Sequence, residues 1–389
     1  MLSLRFLVAF SVCYALAVCS PAAMSGGSEA GEPTAEAVWQ QIAPSFSPPP
    51  QFAGDYGQLR SPLTFANGEP VKTAADWQRR RQEILAQWNQ MLGPWPPIVE
   101  RPKVEILETK PRENFLQHRI RFEWLPKEMT EGYLLVPEGK AVRPAVLVVY
   151  YEPETAIGVG KEQRDFAYQL TKRGVVTLSM GNRAGLDSKT YAIYYPSKEK
   201  ATIQPLSALA YAAANAYHVL AGRKEVDPRR IGVTGHSFGG KWAMFASCLY
   251  DKFACAAWSD PGIVFDEKRP SVNYWEPWYL GYEPGRWRTR GMITAANPCF
   301  GPYKRLVAEG HDLHELHALM APRPFLVSGG SEDQPKRWQA LNHSIKVNEL
   351  LGYKNRVAMT NRPAHSPTAE SNEQMYRFFE YFLKYPQPR

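Results

Sequence analysis

The sequence predicts an α/β fold: a mostly parallel central sheet with helices on both faces. Residues 145–150 (Ala-Val-Leu-Val-Val-Tyr) form an unbroken apolar run, the mark of a strand buried on both sides. From there to the C-terminus, apolar runs and helical stretches alternate, the pattern that builds parallel strands joined by helices. Upstream, residues 103–109, 115–124 and 130–136 alternate apolar and polar side chains, as antiparallel strands do.

Composition supports a folded chain. Of 389 residues, 44% are hydrophobic and 22% charged, which excludes a disordered, collagen-like or coiled-coil protein. The 46 Lys+Arg against 38 Asp+Glu leave a net charge of +8. No basic run is longer than Arg79-Arg80-Arg81, which sits in a helical pattern, so no nucleic-acid partner is expected. The 11 Trp and 20 Tyr suit core packing and also contact with sugars.

Element by element, residues 1–24 read as a signal peptide. Arg5 precedes an apolar stretch from Phe6 to Val18, and small residues follow at Ser20, Ala22 and Ala23. The stretch is too short to span a bilayer comfortably, and no later one is long enough, so no membrane span is expected and the protein is placed as secreted or periplasmic. Leu16-Ala17-Val18-Cys19 resembles a lipoprotein cleavage box, with Val18 where a small residue is usual, which makes Cys19 a candidate lipid anchor. Residues 25–72, rich in Gly, Pro and Ser, read as a linker or irregular arm, and 73–389 as the α/β domain. Thr73 and Asp76 open a helix that Gly93-Pro94 stops. Helical stretches at about 161–173 and 204–222 flank a strand at 175–179, and further strands lie at 230–234, 254–259, 324–329 and 355–360 before a closing helix. Residues 261–312, rich in Trp, Tyr, Pro and Gly, break this rhythm and are too long for an ordinary loop, so they are a candidate functional insertion. Beyond the signal segment, Cys248, Cys255 and Cys299 are neither a disulfide framework nor a zinc site, although one disulfide is compatible with an oxidising compartment.

Gly235-His236-Ser237-Phe238-Gly239 carries the chemistry. It follows a strand and precedes a helix, the context of a nucleophile elbow. Such a turn puts the serine at positive φ and leaves no room for side chains at the glycines, which lifts the Ser237 hydroxyl above the sheet. The N–H of Phe238 then points where an oxyanion develops. A nucleophilic serine needs a base, and His365, on the loop between the last strand and last helix, is expected to supply it. The histidine needs a carboxylate. Asp333 holds the usual position after strand 324–329, Asp260 after strand 254–259 is a rival at the same sheet edge, and Glu332 is adjacent to Asp333. The second oxyanion N–H is expected at or near Tyr151. His311-Asp312-Leu313-His314 lacks a third metal ligand and reads as a loop anchor, and no metal or cofactor is expected.

The order strand, Gly-x-Ser-x-Gly, helix, acid, late His resembles the α/β-hydrolase superfamily over about residues 100–389. Within it the likeness is to the glucuronoyl esterases of carbohydrate esterase family 15 and their acetylxylan-esterase-like bacterial relatives. His236 to Lys241 is similar to that family's elbow, residues 312–324 to its lead-in to the acid-bearing strand, and Val272-Asn273-Tyr274-Trp275 to its aromatic sugar-contacting segment. The resemblance implies hydrolysis of an ester between a uronic acid and an alcohol. It makes Lys241, His236 and Trp275 substrate contacts and matches Asp260 to an alternative acid position. The family commonly has Cys before the serine and Arg after it, where this chain has His236 and Phe238. The expected partner is a carbohydrate ester, acetyl or glucuronoyl. A secreted peptidase of the prolyl-oligopeptidase type uses the same elbow and triad order, but only about 120 residues precede the sheet, too few for a propeller. A non-catalytic module on the same scaffold would have no use for the serine, histidine and acid together.

Overall fold

The computed structural model describes residues 33–182 and 191–385. The signal segment, Cys19 and the first residues of the arm lie outside the described residues. Three strands open the sheet, β1 (Val104–Arg112), β2 (Phe115–Leu125) and β3 (Glu128–Pro137), paired antiparallel. Six more follow: β4 (Arg143–Tyr150), β5 (Val176–Gly181), β6 (Val226–His236), β7 (Cys255–Ser259), β8 (Phe325–Gly329) and β9 (Val357–Asn361). The strand order is β1-β2-β3-β5-β4-β6-β7-β8-β9, with β3–β5 antiparallel and every later pairing parallel.

The apolar run in β4 explains why both faces are covered. Successive side chains on a strand point to opposite faces. Ala145, Leu147 and Val149 enter one core, with Trp77, Ile84 and Trp88 of α2 (Ala74–Leu92), Leu209 of α5 (Pro205–Ala221) and Trp242 of α6 (Phe238–Leu249). Two short helices, α3 (Pro153–Ala156) and α4 (Phe166–Lys172), precede β5. Val146 and Val148 enter the other core, with Phe166 and Leu170 of α4, Ile42 of α1 (Ala35–Ile42) and Phe379 of α10 (Ala369–Lys384). Burying each such side chain stabilises by about 1.5–3 kcal/mol. Helices α7 (Gly301–Ala308), α8 (His314–Ala318) and α9 (Trp338–Leu350) complete the set.

Local signals act where the sequence places them. Thr73 caps α2: its hydroxyl accepts from the Asp76 N–H, and the Asp76 carboxylate accepts from the Thr73 N–H. The stretch from Ala35 to residue 72 is built into the body rather than strung ahead of it, which differs from a linker. The Trp39 ring lies 5.1 Å from Tyr381, Phe46 packs on Phe382 at 5.9 Å, and the Asn342 amide donates to the carbonyls of Phe52 and Asp55. The apolar residues of a segment rich in Pro and Gly thus fill gaps between helices.

Residues 272–282 of the insertion are packed into the body, whereas residues 283–300 are largely exposed. Tyr274, Trp275 and Tyr303 are fully buried, and Arg288 and Glu276 pair at 2.8 Å with both side chains sealed from solvent. The three cysteines are free thiols.

Candidate active site

The parallel strands β6, β7, β8 and β9 all end at one rim, and each delivers part of the site there. Ser237 follows β6 directly and occupies the N-cap of α6. Its backbone, at φ 58° and ψ −114°, lies in the left-handed half of conformational space, as the elbow requires. The flanking glycines exist because the turn is crowded: a Cβ on Gly239 would sit 2.1 Å from the Val149 carbonyl, and one on Gly235 would sit 2.4 Å from the Gly239 carbonyl. The Ser237 N–H donates to the Ser259 carbonyl at 2.8 Å, which ties the elbow to the end of β7.

His365, after β9, has Nε2 2.8 Å from Ser237 Oγ and Nδ1 2.7 Å from Asp260 Oδ2. With a proton on Nδ1, the imidazole donates to the carboxylate and Nε2 accepts from the serine hydroxyl. The carboxylate that meets His365 is therefore at 260, not at the favoured position 333. Asp260 is wholly buried at φ 50°, and its Oδ1 accepts N–H bonds from Gly330, Glu332 and Asp333. Asp333 is turned the other way: its carboxylate accepts from the N–H groups of Gly262 at 2.8 Å and Ile263 at 2.7 Å. Each aspartate thus holds the loop that carries the other. Burial, with the charge of Asp260 alongside, pushes Asp333 up to about 6. The Glu332 side chain pairs with Arg269, away from the histidine.

The histidine loop is pinned by Arg362, a residue that sequence reasoning left without a role. Its guanidinium donates to the carbonyls of Ser328, Gly329, His365 and Ser366. This buried arginine three positions before His365 was visible in the sequence, but no motif announces such a clamp.

Phe238 is the first residue of α6, so its N–H has no intrahelical acceptor and faces the rim. The Tyr151 ring stacks on Phe238 at 4.7 Å and meets Tyr150 and Tyr191 edge-on at 4.8 and 4.7 Å. Held on three sides, Tyr151 lines the cavity together with Ser237. Burial raises the phenol's pKa, so the group stays protonated and remains a donor. The expected contribution at or near Tyr151 was a backbone N–H; the Tyr151 side chain also lines the cavity beside the serine.

A cavity of about 370 Å³ opens over Ser237 and His365, lined also by Tyr150, Tyr151, Glu152, Tyr191 and His236. His236 is buried, with Nδ1 3.1 Å from Ser259 Oγ and its ring 4.7 Å from that of His365. Burial and the neighbouring His365 hold it well below the usual histidine range, so it forms a neutral wall.

Lys241 and Trp275 do not line this cavity. Lys241 lies inside the first turn of α6, where Nζ donates to the Pro261 carbonyl at 2.5 Å and sits over the Tyr274 and Tyr279 rings. Burial lowers it to about 8, against the pull of Asp333, Glu332 and Asp260. Every residue of α6 from Phe238 to Cys248 is buried. The Trp275 indole is fully buried, donating to the Gly291 carbonyl at 3.0 Å and packing on Tyr303. Asp312 accepts from the N–H groups of Phe265 and Leu313, the loop-anchor arrangement. No group of three metal-ligating side chains occurs among the described residues.

No family model matches the chain. In sequence it is similar to a 4-O-methyl-glucuronoyl methylesterase of Schizophyllum commune, 24% identical over 284 residues; the match covers 69% of this chain and 66% of the relative, just under two thirds of its length. In structure it is similar to a glucuronoyl esterase from Solibacter usitatus (TM-score 0.64, 20% identity, 84% of this chain and 97% of that one). It is also similar to a putative acetyl xylan esterase from Bacteroides fragilis (TM-score 0.54, 14% identity, 88% and 89%). The fold is that of the α/β-hydrolases. The resemblance read from the elbow and the residue 312–324 segment is matched by these relatives, which are carboxylic ester hydrolases.

Proposed function

We propose that this carbohydrate ester hydrolase cleaves esters of uronic acids by an acyl-enzyme route through Ser237, His365 and Asp260. The observation that carries the reading is the continuous line from Ser237 Oγ to His365 Nε2 and from His365 Nδ1 to Asp260, at 2.8 and 2.7 Å, beneath an open cavity. Ser237 Oγ attacks the ester carbonyl carbon while its proton passes to His365 Nε2. Asp260 holds the imidazole in the competent tautomer and stabilises its positive charge. The carbonyl oxygen, now negative, receives the Phe238 N–H and the Tyr151 hydroxyl. Collapse expels the alcohol, which takes the proton from Nε2. Water, deprotonated by the same imidazole, then releases the uronic acid and restores Ser237.

The secretory pattern in residues 1–24 supports action outside the cytoplasm, where polysaccharide esters are met. No helix among the described residues is long and apolar enough to cross a membrane. The test is a panel of methyl glucuronate, acetylated xylan and a prolyl peptide amide. Methanol release from methyl glucuronate at the highest kcat/KM supports the uronate reading. Preferred release of acetate moves the assignment to acetyl esters, and peptide cleavage moves it to a peptidase.

Tyr151→Phe removes one hydroxyl and keeps the stacked ring. A drop in kcat of about 10²-fold with little change in KM is expected, as for the loss of one oxyanion donor. A drop under threefold would return that role to backbone N–H groups alone.

A further inference from the structure

The charge around the cavity says more about the substrate, given the ester-hydrolase reading. Lys161 and Arg164 both line the cavity beside Ser237, and among the described residues the one carboxylate on its lining is Glu152. Glu152 is already engaged, accepting from the Thr155 hydroxyl at 2.5 Å. Among the described residues Arg164 reaches the Ser366 hydroxyl alone, at a long 3.4 Å, and its buried Nε has no hydrogen-bond partner. It lies close enough for its charge to weigh on Tyr150 and His236. From the insertion, Arg290 adds a third cation, which acts on Tyr151 and Tyr279. Neither Lys161 nor Arg164 forms an ion pair among the described residues, although most arginines of the chain's surface do.

Cations lining a cleft focus their field there and concentrate an anionic ligand. The scissile group cannot be that anion, because an ester is neutral. Lys161 also lines a neighbouring hollow of about 460 Å³, whose carboxylates Glu162, Asp165 and Glu373 confine the cationic ground to the side facing Ser237.

We propose that Lys161 and Arg164 form an anion subsite that binds a second carboxylate of the substrate, on a sugar beyond the scissile ester, so that the enzyme selects acidic over neutral polysaccharide. A planar guanidinium matches a carboxylate in two-point geometry, and the lysine supplies a mobile point charge beside it. The cationic rim also draws a polyuronate toward Ser237 before docking.

The experiment compares two disaccharide methyl esters, one with the esterified uronate linked to a free uronate and the other with it linked to a neutral hexose. The wild type is expected to favour the first by at least about tenfold in kcat/KM at low salt, and 0.5 M NaCl is expected to shrink that ratio severalfold. Lys161→Gln with Arg164→Gln is expected to bring the ratio to about one. Lys161→Glu alone, at an exposed position, is expected to reduce it and serves if the double variant misfolds. A wild-type ratio near one overturns the subsite while leaving the esterase intact, as does a ratio that survives both sets of substitutions. Hydrolysis of neither ester overturns the subsite together with the uronate reading.

Discussion

Ser237→Ala lowers kcat for ester hydrolysis by about 10⁶-fold and leaves KM near the wild-type value. The size follows from removing the atom on which the other two groups act: His365 then has no hydroxyl to deprotonate, and Asp260 orients an idle base. What survives is the stabilisation that a bound substrate still receives from Phe238 N–H and the Tyr151 hydroxyl. The alanine is expected to fold normally. The Ser237 backbone, not its side chain, carries the structural bond to the Ser259 carbonyl. Steady-state kinetics on methyl glucuronate, with a thermal melt as control, measures both. A variant within tenfold of wild type would mean that another nucleophile is in use.

The second large effect separates the two aspartates. Asp260→Asn is expected to cut kcat by about 10⁴-fold with little loss of stability. Three backbone N–H groups converge on Oδ1, so the amide oxygen must stay on that side and the NH₂ must face His365. The NH₂ then donates to Nδ1, the proton moves to Nε2, and the imidazole can no longer accept from Ser237. Asp333→Asn places its NH₂ against the N–H of Gly262 or Ile263 and loses one of those bonds. That costs about 1–3 kcal/mol of stability and less than tenfold in kcat. Denaturant melts beside kinetics distinguish the two patterns. A crippling Asp333→Asn with a near-silent Asp260→Asn would reverse the assignment.

This pair also marks where the sequence stops being legible. The elbow, the late histidine and the strand sequence were readable because each follows from local pattern: glycines where no Cβ fits, a β-strand run buried on both faces, a loop after the last strand. The choice between Asp260 and Asp333 is not local. Both follow parallel strands that end at the same rim, and the loops bind each other, so only the direction of each carboxylate decides. The burial of Lys241 is legible in the sequence. The lysine is the single charged residue in α6, FGGKWAMFASCL, whose residues are otherwise apolar or small, and a helix apolar all round is buried. Trp275 shared the same ambiguity: an aromatic in an irregular segment serves a sugar or a core equally well by composition. Lys161 and Arg164 sit between α3 and α4 in no motif at all, and only the folding of that loop over Ser237 brings them to the cavity.

The most direct measurement follows methanol release from methyl glucuronate while a fluorophosphonate progressively modifies the enzyme, with the extent of phosphonylation at Ser237 read by mass spectrometry. The account predicts one adduct per chain, at Ser237, and activity that falls in proportion to it and reaches zero at full occupancy. Undiminished methanol release from a chain fully phosphonylated at Ser237 would contradict it.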